Sequence, residues 1–407
     1  MTKVLSIVAV LSGILLGGGG QSWALSPETS MLLDLLKAKG VITESEAVEF
    51  TQALEGKMVA SSPVVDDHRH SVQSLADRVD RMESKKEGIE ALDGKLSLSG
   101  LVEAEMVVSQ EKKADGTKTK SSDLALATAQ LNVDAKLNQY VSGHLAFLYE
   151  EGGGDDTIVI DEAFVSLTAS DDTPVYAKVG RLYVPFGRFE SHFISDPGTL
   201  VLGETNDTAV VAGYANDIAE FKVGGFKGKV KEAGKSDHIN SAVASAVFFV
   251  PTTNEDELSL SGGVSYLSNL ATSDSLEAET VGDVADMVGG WSVFFSFAYA
   301  DSFFFDAEYL GAVKDFAAAD FSFTDLENRR PEAWNLEAAI LVCEGGEVAL
   351  RYGGSDETGT FLSQDEYGAA LLYRFFDSTS FTVEYLYQQF QDASDNSQGT
   401  VQLAVEF

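Results

Sequence analysis

The chain ends on Val401-Gln402-Leu403-Ala404-Val405-Glu406-Phe407, in which Val401, Leu403, Val405 and Phe407 alternate with Gln402, Ala404 and Glu406. Successive side chains of an extended strand point to opposite faces, so this stretch has one apolar face and one mixed face. The same period of two runs back through Phe381, Val383, Tyr385 and Tyr387, through Trp334, Leu336, Ala338, Ile340 and Val342, and through Trp291, Val293, Phe295, Phe297 and Tyr299. It reaches Ala219, Phe221 and Val223, then Leu145, Phe147 and Tyr149, and first sets in near Leu96. About sixteen strands are predicted, nearly all of roughly ten residues or a little more, the length a tilted strand needs to cross a hydrocarbon core. A soluble sandwich would use shorter strands.

The connections carry a second signal. Short turns fall near Asn138-Gln139-Tyr140, Asn216-Asp217, Ala300-Asp301-Ser302 and Asp377-Ser378. Between them lie longer segments, residues 110–122, 151–156, 184–207, 227–238, 269–289, 314–331 and 353–365. Long and short alternate, as in a membrane barrel with loops on one rim and turns on the other. Closure is also required physically, because an open sheet edge cannot be left in lipid. The fold class expected is therefore all-β and transmembrane, an antiparallel outer-membrane β-barrel of about sixteen strands over residues 96–407.

Composition agrees and excludes other classes. Of 407 residues, 64 are Asp or Glu and 28 are Lys or Arg, a net charge of −36 that argues against a nucleic-acid partner. Apolar residues at 44% with 10% aromatics are too many for a disordered acidic chain. The single cysteine, Cys343, rules out an intrachain disulfide and reads as a strand-to-turn boundary without a redox role. No cofactor or metal is expected.

Ahead of the barrel, residues 1–24 read as a secretory signal: Lys3, an apolar run from Val4 to Leu16, and a small-x-small Ser22-Trp23-Ala24. Residues 25–60 read as a helical hairpin, with Leu32, Leu33, Leu35 and Leu36 on one stripe, Gly40 at its end, and Thr43-Glu44-Ser45-Glu46 as a capping box. Over residues 61–95, Val72, Leu75, Val79, Met82 and Ile89 fall at a/d spacing, which supports a periplasmic coiled-coil stalk able to associate, or a single amphipathic helix. His68 and His70 lack a carboxylate or cysteine at ligand spacing and are expected to be solvated.

Placing the aromatic side of each strand toward lipid turns Glu103, Glu105, Asp134, Glu150, Glu220, Asp306, Glu308, Glu337, Glu347, Glu384 and Glu406 inward, against Lys136, Lys178, Lys222, Arg351 and Arg374. A water-filled lumen with this acidic excess prefers cations. The alternative is that the charges form paired ladders that stiffen a wide barrel. Parity conflicts in the fourth strand, where Asp161 and Glu162 cannot both face inward, and is ambiguous in the eighth.

One loop differs from the others. Residues 180–205 read GRLYVPFGRFESHFISDPGTLVLGET, and a loop carrying Phe186, Phe189, Phe193 and Ile194 is poorly suited to water. It is expected to fold into the lumen and set Arg181, Phe186, Arg188, Glu190, His192, Asp196 and Glu204 at a constriction. Ser191, His192 and Asp196 are the residue types of a nucleophilic triad, but no nucleophile elbow or oxyanion motif accompanies them, and no enzyme is expected.

This stretch, followed by a strand over residues 209–214, resembles the LbtU-type siderophore porins, and LLDLLKAKGVITESEAVEF near the N-terminus is similar to that family's N-terminal region. The resemblance implies an outer-membrane porin with a periplasmic coiled segment that passes ferric siderophores without a plug domain. The terminal Phe407 resembles the assembly signal of bacterial outer-membrane proteins and implies the barrel assembly machinery as a partner, beside outer-membrane lipid and further copies of the chain. Other readings of the same residues are a general cation-leaning diffusion porin, and a barrel anchor whose stalk binds the cell wall or a periplasmic partner.

Overall fold

The computed structural model describes residues 95–407 apart from 153–156, 171–172, 251–257, 301, 325–326 and 377. The expected signal segment, helical hairpin and most of the stalk lie outside the described residues. Sixteen antiparallel strands follow in order: β1 (Leu96–Lys112), β2 (Lys118–Asn138), β3 (Val141–Tyr149), β4 (Val159–Ser170), β5 (Thr173–Tyr183), β6 (Asn206–Ala215), β7 (Ala219–Phe226), β8 (Ser241–Phe249), β9 (Leu258–Leu267), β10 (Gly290–Tyr299), β11 (Phe303–Ala312), β12 (Glu332–Cys343), β13 (Gly346–Asp356), β14 (Asp365–Arg374), β15 (Thr379–Gln389) and β16 (Asp395–Glu406). Two one-turn helices sit in loops, α1 (Gly198–Gly203) and α2 (Asp274–Glu279). Each strand pairs with its neighbours in sequence, and β1 pairs with β16, so the sheet closes into a barrel without a free edge around its wall. At the seam Leu101 stands opposite Glu406, while Gly100 and Phe407 exchange both backbone hydrogen bonds at 2.8 and 3.0 Å. Among the described residues no helix is long and apolar enough to cross a membrane.

The period of two decides which way each residue faces. In β10, Ser292, Phe294, Ser296 and Ala298 are buried inward, whereas Trp291, Val293, Phe295 and Tyr299 are exposed outward. The same outward apolar belt runs through Phe381, Val383 and Tyr385, Tyr367 and Leu371, and Phe221 and Val223. Such a continuous belt is stable only where hydrocarbon rather than water covers it. The eighth strand resolves with Ser241 and Val243 inside and Ala242 and Ala244 outside.

The conflict in β4 is resolved by a bulge. Ala146 pairs with Glu162 and Phe147 with Ile160, which leaves Asp161 without a partner on β3. An extra residue in one strand restores parity on both sides of itself. Glu162 therefore turns inward beside His144, while the Asp161 carboxylate accepts from the Tyr183 hydroxyl at 3.0 Å and the Asn206 amide at 3.1 Å. The expected loop at residues 110–122 is instead a hairpin: β1 and β2 stay paired to Lys112 opposite Lys118, and only residues 113–117 turn. Alternating Ser, Thr and Lys extends a ladder as readily as it forms a loop once a neighbouring strand supplies the hydrogen bonds.

Gly180 in β5 has φ +143° and a Cβ there would lie 2.2 Å from the Ala163 carbonyl oxygen. Gly180→Ala is expected to lower barrel stability by about 2 kcal/mol, read as a fall in the urea midpoint of unfolding, through strain that only glycine avoids. An unchanged midpoint would mean that β4 and β5 can separate freely at this point.

Candidate functional site

Residues 184–205 leave β5 and return to β6 through a neck closed by the Val184 amide donating to the Thr205 carbonyl at 3.0 Å. The apolar content noted in the sequence decides where they go. Phe186, Phe189, Leu200 and Leu202 are buried in one cluster with Leu182, Val211, Phe226, Leu267 and Leu310. Except for the loop residues, these belong to the inner faces of β5, β6, β7, β9 and β11. Burying side chains of this size stabilises by about 1.5–3 kcal/mol each, enough to hold the loop inside the barrel. Loops on the same rim close over it: Val284 bridges Glu232, Phe321 bridges Thr280, and Phe323 stacks on Phe321 and Phe361 at 5.1 and 5.3 Å. The roof touches the loop where the Asp274 amide donates to the Glu204 carbonyl at 2.9 Å and the Ser273 hydroxyl to the Leu202 carbonyl at 2.9 Å.

Inside, the loop's backbone amides are taken by inward carboxylates in succession around the wall. Glu308 of β11 accepts from the amides of Arg188 at 2.8 Å and Phe189 at 2.9 Å. Glu337 of β12 accepts from the His192 amide at 2.6 Å, and Glu384 of β15 from Ile194 and Ser195 at 2.7 and 3.2 Å. A carboxylate bound to backbone N–H groups forms charge-assisted hydrogen bonds, roughly twice as strong as neutral ones. Arg351 of β13, buried with Glu337, donates to Glu337 at 2.9 Å, to Glu366 of β14 at 3.2 Å, to the Ser191 hydroxyl at 2.5 Å and to the Ser195 carbonyl at 2.8 Å. Its guanidinium lies 4.3 Å from the Phe193 ring centroid. Arg188 pairs with Glu190 at 2.5 Å and lies over Phe294 at 4.7 Å.

The His192 ring meets Glu347 at 2.8 Å and Asp306 at 3.4 Å. Burial works against its charge, but hydrogen bonds to Asp306 and Glu347 outweigh burial and push its pKa up to about 10, so it is an imidazolium at neutral pH. Glu204 is shifted in the same direction with the opposite effect on charge: burial, then the charges of Asp196 and Asp274, push it up to about 8, so it is largely protonated and neutral at neutral pH.

The inner wall is consequently two unlike halves. Along β10 to β15, Ser292, Ser296, Glu337, Arg351 and Glu384 are buried under the loop. Along β2 to β7 the side chains of Asp134 and Lys222 keep 30% of their exposure, and Glu220, which pairs with Lys222 at 2.9 Å, keeps 22%. Asp134 accepts from the His144 Nδ1–H at 2.7 Å, Lys178 lies 4.8 Å over Phe164, and Gln402 donates to Glu105 at 2.7 Å. Asp196 at the loop tip and Glu150 are exposed. The charges of Glu103, Glu384 and Asp196 all act on Glu105, so loop tip and β1 share one acidic neighbourhood.

Of the residues expected at the constriction, Phe186, Arg188, Glu190, His192, Asp196 and Glu204 lie on this loop, but Arg181 does not. It belongs to β5, opposite Ala163 and Thr208, exposed on the outward face with Val179 and Tyr183. The physical reason is that β5 continues to Tyr183, so the strand's parity and not the loop governs Arg181. Glu103, Glu105, Asp134, Lys178, Lys222, Asp306, Glu308, Glu337, Arg351 and Glu384 all have inward parity, as expected, while Lys136 and Arg374 share it but sit exposed at turn ends. Ser191 receives Arg351 while the His192 ring is held by Glu347 and Asp306, an arrangement that positions a loop and not a nucleophile. Glu366 and His144 were missed by the sequence reading, though each lies on the polar face of its own alternation.

No family model matches the chain. It is 28% identical over 279 residues, 66% of its length, to a UPF0422 protein of Coxiella burnetii, and 24% identical over 270 residues, 60% of its length, to a UPF0422 protein of Legionella pneumophila. It spans 59% and 49% of those relatives, so less than two thirds of either. Among solved structures it is similar to the outer membrane channel DcaP of Acinetobacter baumannii, with a TM-score of 0.56 at 15% identity over 79% of this chain and 99% of that one. The fold is that of the outer-membrane porins. An anion-selective porin from Comamonas acidovorans superposes with a TM-score of 0.52 at 14% identity, covering 77% of this chain and 99% of the other. Identities this low speak for the porin fold alone.

Proposed function

We propose that the protein is a passive diffusion channel of the bacterial outer membrane, in which residues 184–205 narrow the lumen and solutes pass along the β16–β1–β7 side. The observation that carries this reading is the one-sided filling of the barrel: the loop is pinned to β11–β15, and the opposite wall keeps half-exposed charges. Asp196, Glu105 and Glu150 border that side on one flank, with Lys178 and Lys222 on the other, and cations are the favoured small ions. Phe407 at the seam serves barrel assembly, and the segment before the barrel forms a periplasmic stalk. Passage of ferric siderophores is supported by the resemblance of residues 180–205 to the siderophore porins; the carboxylates make that passage depend on the overall charge of the chelate.

Planar-bilayer recording tests the channel: discrete conductance steps are expected, and a barrel that inserts without them is an anchor with a filled lumen. Asp196→Asn combined with Glu105→Gln is expected to lower the cation-to-anion permeability ratio several-fold, in line with the loss of two charges at a low-dielectric constriction. A reversal potential that does not move would remove these carboxylates from the path. Loss of ferric-siderophore uptake in a deletion strain supports the specific reading, whereas intact uptake with reduced small-solute permeability supports general diffusion.

A further inference from the structure

Arg181 stands where a guanidinium is least expected, on the outward wall between Val179 and Tyr183. Its Nε donates to the Asp161 carbonyl at 3.1 Å, and its charge also acts on the Asp161 carboxylate. An Arg on the lipid side of a barrel is destabilising at mid-depth and tolerable only near the interface, where it finds an anion. Arg181 is two residues from the loop-side end of β5. The carboxylate beside it, Asp161, is already held by the Tyr183 hydroxyl and the Asn206 amide, and the other outward anions, Glu332, Asp356, Asp365 and Asp395, lie at the ends of other strands.

Beside it the wall is hollow. A groove of about 440 Å³ opens on the outward face, lined by Val133, Ala135, Gly143, Ala163, Val165 and Val179 among others. Small residues on three adjacent strands make the hollow: Ala135 stands opposite Gly143, and Gly143 opposite Val165. A Cβ built at Gly143 meets nothing within 4 Å, so the space lies directly over that residue. Val179 lines the groove's β5 side, and Arg181, the cross-strand partner of Ala163, stands two residues further along β5 at the groove's rim-side end.

We propose that this groove and Arg181 form a binding site for one membrane lipid with a phosphate headgroup, an acyl chain lying over Ala135, Gly143 and Ala163 and the phosphate meeting the guanidinium. The apolar bed alone would accept any chain; the guanidinium selects an anion, in bidentate geometry that fits phosphate. A second copy of the chain is the other conceivable occupant, since Glu332, Asp356, Asp365 and Asp395 end their strands on the same loop-side rim; the apolar groove over Gly143 favours a lipid chain, and the oligomer mass in the test below separates the two. The inference rests on the membrane reading above.

The test is native mass spectrometry of the full-length barrel in detergent, titrated with phosphatidylglycerol and, separately, with phosphatidylcholine of the same chains. One tightly retained phosphatidylglycerol per barrel is expected, held about tenfold better than phosphatidylcholine, the ratio one charge-assisted contact supports. Arg181→Gln should abolish the preference between the two lipids, and Gly143→Phe, which fills the groove without a clash, should abolish retention of both. Heat-modified migration confirms that each variant is closed. Equal retention of both lipids by the unaltered protein, or retention unaffected by Gly143→Phe, overturns the proposal; so does a dimer or trimer mass that Gly143→Phe disperses without any lipid adduct. A barrel that does not fractionate with membranes at all overturns the membrane reading instead, which keeps the two failures apart.

Discussion

Arg351→Met is expected to release the loop tip from the barrel wall and to expose Phe193, which lies against the Arg351 guanidinium, to chymotrypsin at neutral pH, where the unaltered protein resists cleavage at this position. Arg351 is wholly buried, as is Glu337, and Glu366 keeps only 7% of its side-chain exposure. Removing the guanidinium leaves two carboxylates without their cation in a low-dielectric site, a change that destabilises by roughly 3–5 kcal/mol. The same substitution deletes the donors to Ser191 and to the Ser195 carbonyl, so the loss falls on the loop's anchorage and not only on β12–β14. At about 1.4 kcal/mol per factor of ten, the released fraction should rise by roughly two to three and a half decades. The outer apolar cluster around Phe186 and Leu202 is untouched, so the barrel is expected to stay closed while the loop tip comes free. Arg351→Lys keeps the charge but not the planar fork, and should fall between the two. Adding Glu337→Gln and Glu366→Gln to Arg351→Met should recover part of the resistance, because the uncompensated charges go with the cation. Resistance to chymotrypsin at Phe193 equal to the unaltered protein in Arg351→Met would show that the apolar cluster alone holds the loop.

The direction each strand residue faces was readable without coordinates because a membrane barrel has to keep its period of two over the whole crossing, and Trp291 to Tyr299 or Phe381 to Tyr387 mark the lipid side. Two positions broke the rule locally. Asp161 and Glu162 announced a conflict that only a bulge could settle, and the bulge depends on β3 pairing, not on β4's own residues. Arg181 was assigned to the loop because the stretch around it reads as one motif, whereas β5 runs on to Tyr183 by pairing with Asn206. What the inward carboxylates do was beyond sequence reasoning for a different reason. Glu308 meets Arg188 across 120 positions and Glu384 meets Ile194 across 190. An acid facing a lumen looks the same in sequence whether it faces water or a returning backbone. The acidic excess therefore divides: Asp306, Glu308, Glu337, Glu347 and Glu384 hold a loop, and the acids left to influence solutes are those on the open side, Glu105, Asp134, Glu150 and Glu220, with Asp196 at the loop tip.

His192 makes this division testable by pH. Its imidazolium neutralises Asp306 and Glu347, and its folded pKa of about 10 stands above the ordinary value near 6.5. A group whose pKa is raised by folding contributes its full stabilisation below the unfolded value, and that contribution declines as pH rises until it is gone above the folded one. The window is thus from about 6.5 to about 10, with an effect on the order of a few kcal/mol. The loop in the unaltered protein should accordingly be quiet at pH 6 and loosen progressively toward pH 10, read as rising open-channel current noise. His192→Gln keeps a hydrogen-bond donor without a titratable charge, so its noise should be high at pH 6 and nearly flat across the window. Lysines and tyrosines elsewhere titrate near the upper end in both proteins, which is why the difference between the two profiles, and not either profile alone, carries the result. If both rise together, the proton that matters is not on His192, and the loop's hold on β11–β13 comes from the backbone amides of Arg188, Phe189 and His192 and not from the imidazolium.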